Sequence, residues 1–475
     1  MSHSPARLRI AIVGYGTAGQ AAAVLLGRDG HRVEVFERAP EPGPVGAGFL
    51  LQPSGLQVLW RMGLLDAVLA HGARVERLYG ETPCGRAVMD MRYAGLDARL
   101  CGVGMQRGAL FSILDHARGD DVVLRAGITI ENPDADDRWL RDADGGRHGP
   151  FDLVLVADGA ASKLRGALGG VRRDAVYPWG ALWCLLDARD WPHLRELRQR
   201  YVAARRMIGL LPVGTRPGDT TPRLSFFWSL PTAAFDGWQA AALDDWRASV
   251  DTIWPEASAL LDGTTSHAQL ARASYRDVTL DRWHHGRWVL LGDAAHAMSP
   301  QLGQGVNMAL LDAEALRDAL RTEAALPDAM AVYARSRRRH VGIYQFWSRW
   351  LTPVFQSERD LVARARDLAF HPWGACPAGA DTCCACSAAR SWGHSVPCHW
   401  RRNSSRPWRG SGAGHRCQPP RFRNNASVSR ASDVERRACP ARTATQPCDV
   451  ERARPQPIVG VHPRIGEVRG TAATR

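Results

Sequence analysis

Apolar residues open the chain as a short unbroken run, return at helical spacing, and then form a second run. LRIAIVG (8–14) reads as a strand buried on both faces, GTAGQAAAVLLGRDG (16–30) as a helix stopped by glycine, and HRVEVFE (31–37) as the next strand. Strand, helix and strand in that order predict a parallel, doubly wound sheet. RGALFSILDHARG (107–119) has amphipathic helical spacing, while FDLVLVADGA (151–160) and GRWVLLGDAA (286–295) are further apolar strands that stop at glycine and aspartate. The pattern changes over 176–275, where ALWCLLDA, YVAARRMIGLLPVG and PRLSFFWSLP are strand-like and aromatic, with turn residues between them. Together with 75–100 they predict a second, mostly antiparallel sheet inserted into the first domain. Helical periodicity dominates from Met308 to about Leu368, and no internal repeat is present.

The α/β body is thus expected to have a discontinuous first domain (1–74, 101–175 and 276–340), an inserted sheet domain (75–100 and 176–275) and a C-terminal helical segment (341–371). Beyond about Pro372 neither period survives. That stretch is rich in Arg, Ser, Pro and Cys, a composition that predicts a disordered basic tail over 372–475. Its CCAC cluster with stray downstream cysteines lacks the paired spacing zinc needs. A reading-frame shift is the remaining account, because one GC-rich back-translation of DTCCACSAARSWG gives an apolar segment in another frame.

Charge and cysteine follow the same boundary. The chain carries a formal charge of +13, but its last hundred residues hold 17 arginines against 6 acids, which leaves the first 375 near neutral at +2. A near-neutral body has no electrostatic footprint for nucleic acid. Of the 11 cysteines only Cys84, Cys101 and Cys184 lie in the body, too scattered for a disulfide framework and suited to a reducing compartment. The N-terminus enters the first strand without an apolar leader, and no run approaches the ~20 apolar residues that span a bilayer. A cytoplasmic protein without an integral membrane segment is expected.

Three glycine-bearing turns carry the chemistry. In GYGTAG, Gly14 permits a tight turn, Gly16 lets the backbone approach a pyrophosphate, and Gly19 lets the helix close on the strand. The helix N-terminus offers free N–H groups and a positive dipole to phosphate. Glu37 ends the second strand, where a carboxylate accepts both ribose hydroxyls, and Arg38 follows it. This pattern predicts a dinucleotide without choosing between NAD and FAD. The second turn is ADGAASKLR (157–165), with Asp158-Gly159 after a strand and Ser162 and Arg165 behind it. The third is GDAAHAMSPQLGQGVN (292–307), which runs into the helical MALLDAEALRDALR.

With these turns in this order, residues 8–370 resemble the FAD-dependent aromatic hydroxylases, the class A flavin monooxygenases that include para-hydroxybenzoate hydroxylase and the ubiquinone-pathway hydroxylases. The resemblance implies a Rossmann-like FAD-binding domain with the inserted sheet holding substrate. It implies non-covalent FAD seated on Gly14, Gly16, Ala18, Gly19, Glu37 and Arg38, with Asp158 serving the same cofactor. Asp293 is expected at the ribityl chain and Arg107 at the ribityl and phosphate region. Pro300, Gly303, Gly305, Val306 and Asn307 are expected beside the isoalloxazine, flanked by VGAGFLLQPSGLQVL (45–59). A flat tricyclic ring must lie against backbone, which accounts for Gly303 and Gly305. The helix starting near Gly305 would aim its positive end at the pyrimidine edge, where reduced flavin is negative.

The implied reaction uses NADH or NADPH and O2, passes through a flavin C4a-hydroperoxide, and hydroxylates a small phenolic substrate. It requires no catalytic side chain and no metal, and the chain is expected as a monomer or homodimer. The alternatives are another FAD-dependent oxidoreductase of the same superfamily and a non-catalytic FAD-binding protein. Among other residues, His296 reads as a packed or capping histidine rather than a proton carrier, and His284 and His285 as exposed. Trp179, Trp183, Phe227 and Trp228 are candidates for an aromatic pocket on strands that also read as core.

Overall fold

A computed structural model describes residues 7–375 apart from 44–45, 134–135 and 169, with side chains as far as Leu368. The expected tail lies outside the described residues from Cys376 onward. Strands Arg32–Glu37, Arg9–Val13, Leu153–Val156 and Trp288–Leu290 lie side by side in parallel, with Val122–Ala126 beyond the first of them and His284–His285 antiparallel at the other edge. Ile10–Ile12 and Leu153–Val156 are fully buried, as the apolar runs require of strands covered on both faces. Helix Thr17–Arg28 packs on helices Gly305–Thr322 and Arg107–His116. From Arg9–Val13 the chain first pairs to one side, at Arg32–Glu37, and later to the other, at Leu153–Val156. A crevice opens beyond the carboxyl ends of strands where winding reverses in this way.

The second sheet has seven strands, in spatial order Ala271–Leu280, Val171–Asp187, Asp219–Pro231, Arg206–Arg216, Glu196–Val202, Arg77–Glu81 and Ala87–Arg92. All pairs are antiparallel except Glu196–Val202 with Arg77–Glu81. The first two strands in that order extend past the expected limits of 176 and 275, because Val171–Val176 goes on pairing with Arg276–Leu280. One face buries Leu182, Leu186, Phe226 and Trp228 under Trp238, Trp246 and Trp254. Trp183 and Phe227, at alternate positions, belong to the other face. Two small three-stranded sheets, one built on Gly102–Gln106 and one on Leu140–Asp142, were not legible in the pattern.

A single helix runs across the expected boundary between 340 and 341. Leu326–Phe355 is one 30-residue helix, and its buried residues Tyr333, Arg337, Val341, Tyr344, Ser348 and Thr352 continue as a single stripe across that point. Among the described residues no helix is long and apolar enough to cross a membrane, and no group of three His, Cys, Asp or Glu residues could hold a metal ion.

Candidate active site

The three glycine turns follow the carboxyl ends of the central parallel strands and touch one another. Gly14 takes φ +102°, and a Cβ there would lie 2.4 Å from the Ala157 carbonyl oxygen and 2.9 Å from Asp158 Cα. A Cβ at Gly19 would lie 2.0 Å from the Gly14 carbonyl oxygen, so that glycine closes helix onto strand. Gly16 differs. A Cβ there meets nothing within 4 Å, so protein packing does not explain the glycine. Glu37 accepts the Tyr15 N–H at 2.8 Å and the Ala39 N–H at 3.0 Å, and each carboxylate oxygen keeps capacity for a ribose hydroxyl. Arg38 is exposed beside it. Ala18 is buried, and a Cβ at Gly292 would come within 2.9 Å of its methyl, so small residues let the third turn close on the first helix.

Arg165 joins the second turn to the third. It is 2% exposed, and it donates to the carbonyls of Asp293 (3.2 Å), Ala294 (3.0 Å) and Ala160 while pairing with Asp174 at 3.0 Å. Asp158 leaves Oδ1 buried without a partner among the described residues, and burial pushes its carboxyl pKa up against the Ser162 hydrogen bond and the Arg165 charge. A hydroxyl donated by a ligand would offset that desolvation.

The backbone of the third turn hangs on a buried carboxylate. Gly292, at φ +58°, donates its N–H to Asp312 Oδ2 at 2.8 Å. The same oxygen meets His296 Nε2 at 2.6 Å, and Oδ1 accepts from Arg337 Nε at 2.7 Å. Burial alone would raise the Asp312 pKa, but the charges of His296 and Arg337 carry it down to about 2. His340, 2.6 Å from the Arg337 guanidinium, is pushed down to about 3 by burial and then by that cation. His296 is packed at 1% exposure, as the sequence suggested. Asp312 and Arg337 were missed. The available signal was an acid inside the apolar stripe Met308, Leu311, Asp312 and Leu316.

Asp293 is exposed, with Oδ1 3.9 Å from where a Gly305 Cβ would stand. Its carboxylate therefore lies beside the first turn of Gly305–Thr322, whose leading N–H groups lack intrahelical acceptors. Pro300 opens a single 3₁₀ turn that ends on Gly303 in the left-handed region, where a Cβ would again meet nothing within 4 Å. Val306 is half-buried in the helix that follows. Ser54 Oγ, Ser299 Oγ and Gln301 Nε2 are buried here without partners among the described residues. Asn307 instead commits its side chain to the protein, through the Gln52 N–H (2.8 Å) and the Leu50 and Gly303 carbonyls (3.2 and 3.1 Å). Only its backbone is left to face a cofactor. Arg107 heads its helix with the N–H bonded to the Ala47 carbonyl at 3.0 Å and the guanidinium 5.8 Å from the Phe49 ring.

Strand Ala271–Leu280 reaches the third turn through the Val278 N–H, bonded to the Ala297 carbonyl at 2.9 Å. Beside it the rings of Trp183 and Phe227 lie 5.0 Å apart, and the Trp183 indole N–H donates to the Tyr275 hydroxyl at 2.9 Å. Trp228 belongs to the opposite, helix-covered core and Trp179 is buried outside the Trp183–Phe227 pair. His284 and His285 form the edge strand, where His285 is exposed and His284 half-buried. A separate cleft of about 420 Å³ lies among Trp191, His193, Arg198, Arg200 and Trp254. Arg198 and Arg200 are already paired there with Glu81, Glu196 and Glu256, and none of the turn residues lines it.

These residues fit a dinucleotide with a flat ring. Gly16 and Gly303 leave room that the described residues do not use, and Asp158, Ser54, Ser299 and Gln301 present polar atoms that the described residues do not satisfy. Comparison with known proteins agrees. The family described as FAD binding domain matches residues 7–342. The aurachin C monooxygenase/isomerase of Stigmatella aurantiaca is 30% identical over 70% of this chain and 85% of its own. The 6-hydroxynicotinate 3-monooxygenase of Pseudomonas fluorescens is 27% identical over 68% of this chain and 84% of its own. The crystal structure of P. aeruginosa PqsL in complex with 2-aminobenzoylacetate superposes with a TM-score of 0.65 at 27% identity, over 76% of this chain and 100% of that one.

Proposed function

Since the chain belongs to the FAD binding domain family, as a FAD-dependent aromatic monooxygenase of class A, we propose that it hydroxylates a small phenolic or hydroxy-heteroaromatic substrate with NADH or NADPH and O2. The carrying observation is the meeting of the third glycine turn with the second sheet through the Val278–Ala297 bond, with the Trp183–Phe227 pair further along the same sheet. Relatives named for 6-hydroxynicotinate and aurachin C support a ring of about this size.

In this reading Gly14, Gly16, Ala18 and Gly19 hold the pyrophosphate at the N-terminus of Thr17–Arg28. Glu37 holds the adenosine ribose, with Arg38 at its exposed side. Asp158, Asp293 and Arg107 serve the ribityl and phosphate groups. Pro300, Gly303, Gly305, Val306 and the Asn307 backbone lie along the ring. Bound non-covalently, FAD supplies the redox chemistry and the activation of oxygen. The N-terminus of Gly305–Thr322 favours negative charge on the neighbouring ring edge. Trp183 and Phe227 stack the substrate and exclude water from the crevice. The free thiols Cys84, Cys101 and Cys184 support a reducing, cytoplasmic setting.

The test is a screen of phenols and aromatic acids against the purified FAD-loaded protein, following NAD(P)H oxidation and product mass. Stimulated oxidation with one atom of O2 in the product is expected. NAD(P)H oxidation at one constant rate with every aromatic tested would overturn the substrate class.

A further inference from the structure

Helix Leu326–Phe355 buries one stripe of side chains, from Tyr333 to Thr352, against the body. On its opposite side stand Arg335, Arg339, Gly342, Phe346 and Trp350, three or four residues apart and all exposed. Phe346 is 56% exposed and Trp350 66%. The half-buried Trp347 braces Phe346, its ring meeting that one edge-on at 5.6 Å. Two large aromatic side chains one turn apart in water mark an association surface.

Gly342 lies on the same stripe. A Cβ there would meet nothing within 4 Å, so packing among the described residues does not call for a glycine, and glycine weakens a helix interior. Its missing side chain leaves room for another backbone. Charge then selects the partner. Arg335, Arg338 and Arg339 lie towards one end of the helix and Glu358 just past the other, all exposed, and none has an ion pair among the described residues. A lipid surface would draw on the arginines alone and offer Glu358 nothing. A second copy of the helix, run antiparallel, answers both ends.

A two-fold axis level with Ser348 sets Phe346, two positions before it, against Trp350 of the other copy, two positions after it. The half-buried Ile343 and Pro353 meet in the same way. Arg339 lies about 14 Å from that axis at 1.5 Å per residue. It therefore reaches the end of the other helix, where Glu358 follows Phe355. We propose that this face joins two copies of the chain, with Phe346 and Trp350 as reciprocal anchors and Arg339 with Glu358 as the charge pair at each end. The interface is isologous, so every contact occurs twice. The pairing does not depend on the substrate class.

Sedimentation of the FAD-loaded full chain reads the pairing, with a thiol reductant present to keep its cysteines from cross-linking. The wild type should be a dimer at micromolar concentration. Phe346→Ser and Trp350→Ser should each raise the dimer dissociation constant about a hundredfold or more, because an anchor is lost twice. FAD content and NAD(P)H oxidation should not change. Arg339→Glu and Glu358→Arg each set like charges against one another at both ends and should raise the constant about tenfold. Mixing these two single variants should restore wild-type affinity, since the mixed dimer has opposite charges at both ends. A pair within one chain would be restored by the double variant and not by the mixture. Four results would overturn the proposal: a monomeric wild type, a Trp350→Ser protein that stays dimeric, charge variants whose mixture gains nothing, or loss of FAD from Trp350→Ser. A monomeric wild type that sediments with vesicles containing anionic lipid would assign the face to a membrane surface instead.

Discussion

Replacing Asp312 by asparagine keeps the side chain's shape and removes its charge. The carboxylate is 0% exposed and accepts from Gly292 N–H, His296 and Arg337. An asparagine can serve one side of that arrangement with its oxygen, but its NH2 then faces donors on the other. Two routes give the magnitude. Depression of the pKa from 3.8 to about 2 corresponds to about 2–3 kcal/mol of stability at neutral pH. Breaking a buried ion pair and leaving Arg337, 4% exposed, without its counter-charge costs about 3–5 kcal/mol. The first counts only ionisation of the acid and the second includes the stranded guanidinium, so a loss near 3 kcal/mol is expected from their overlap. Urea unfolding of the apoprotein measures it. With the amide oxygen kept on Arg337, the NH2 faces the Gly292 N–H, so the Asp293 turn should loosen, and FAD affinity should fall under conditions where the variant is fully folded. Adding Arg337→Met removes the stranded cation, so the double variant should be more stable than the sum of the singles by about 1–3 kcal/mol. An Asp312→Asn protein as stable as wild type, or strict additivity in the cycle, would refute the electrostatic account. Lost stability with unchanged FAD affinity would refute the link to the cofactor turn.

Acid should act on the same carboxylate. Its folded pKa is depressed, so its contribution is complete above about pH 4 and disappears as pH falls through about 2, which acid unfolding of wild type against Asp312→Asn would show as converging stabilities. Gly14→Ala and Gly16→Ala should separate fold from cofactor. The first forces a Cβ to 2.4 Å from a backbone oxygen at positive φ and should lower apoprotein stability, while the second meets nothing and should cost FAD affinity alone, as calorimetry and flavin titration would report. Gly303→Val adds about 1–2 kcal/mol of left-handed backbone strain and fills the space beside the expected ring. It should leave the dinucleotide half bound and slow flavin reduction by NAD(P)H, whereas a wild-type reduction rate would place the ring elsewhere. Acid precipitation should release all flavin to the supernatant, and flavin retained in the pellet would contradict non-covalent binding.

Local pattern alone determined the doubly wound sheet, the three turns and the inserted aromatic strands. Apolar runs at strand length, glycines at positions that need positive φ or close approach, and an acid at the end of the second strand are constraints a segment imposes on itself. Gly14, Gly19 and Gly292 are legible for that reason. Tertiary structure alone decided which side chains those turns rest on. Asp312 looked like one more polar residue of a helix until folding set it, buried, against Gly292, His296 and an arginine 25 positions further along. Sequence could not show that the Asn307 amide spans three backbone groups of its own chain. The aromatic strands could not say which ring served the core and which the crevice. Trp228 and Phe227 are neighbours in sequence, but successive residues of a strand face opposite ways, and only folding put Trp228 in the cluster under Trp238 and Trp246 and Phe227 in the one that Tyr201 and Phe355 share.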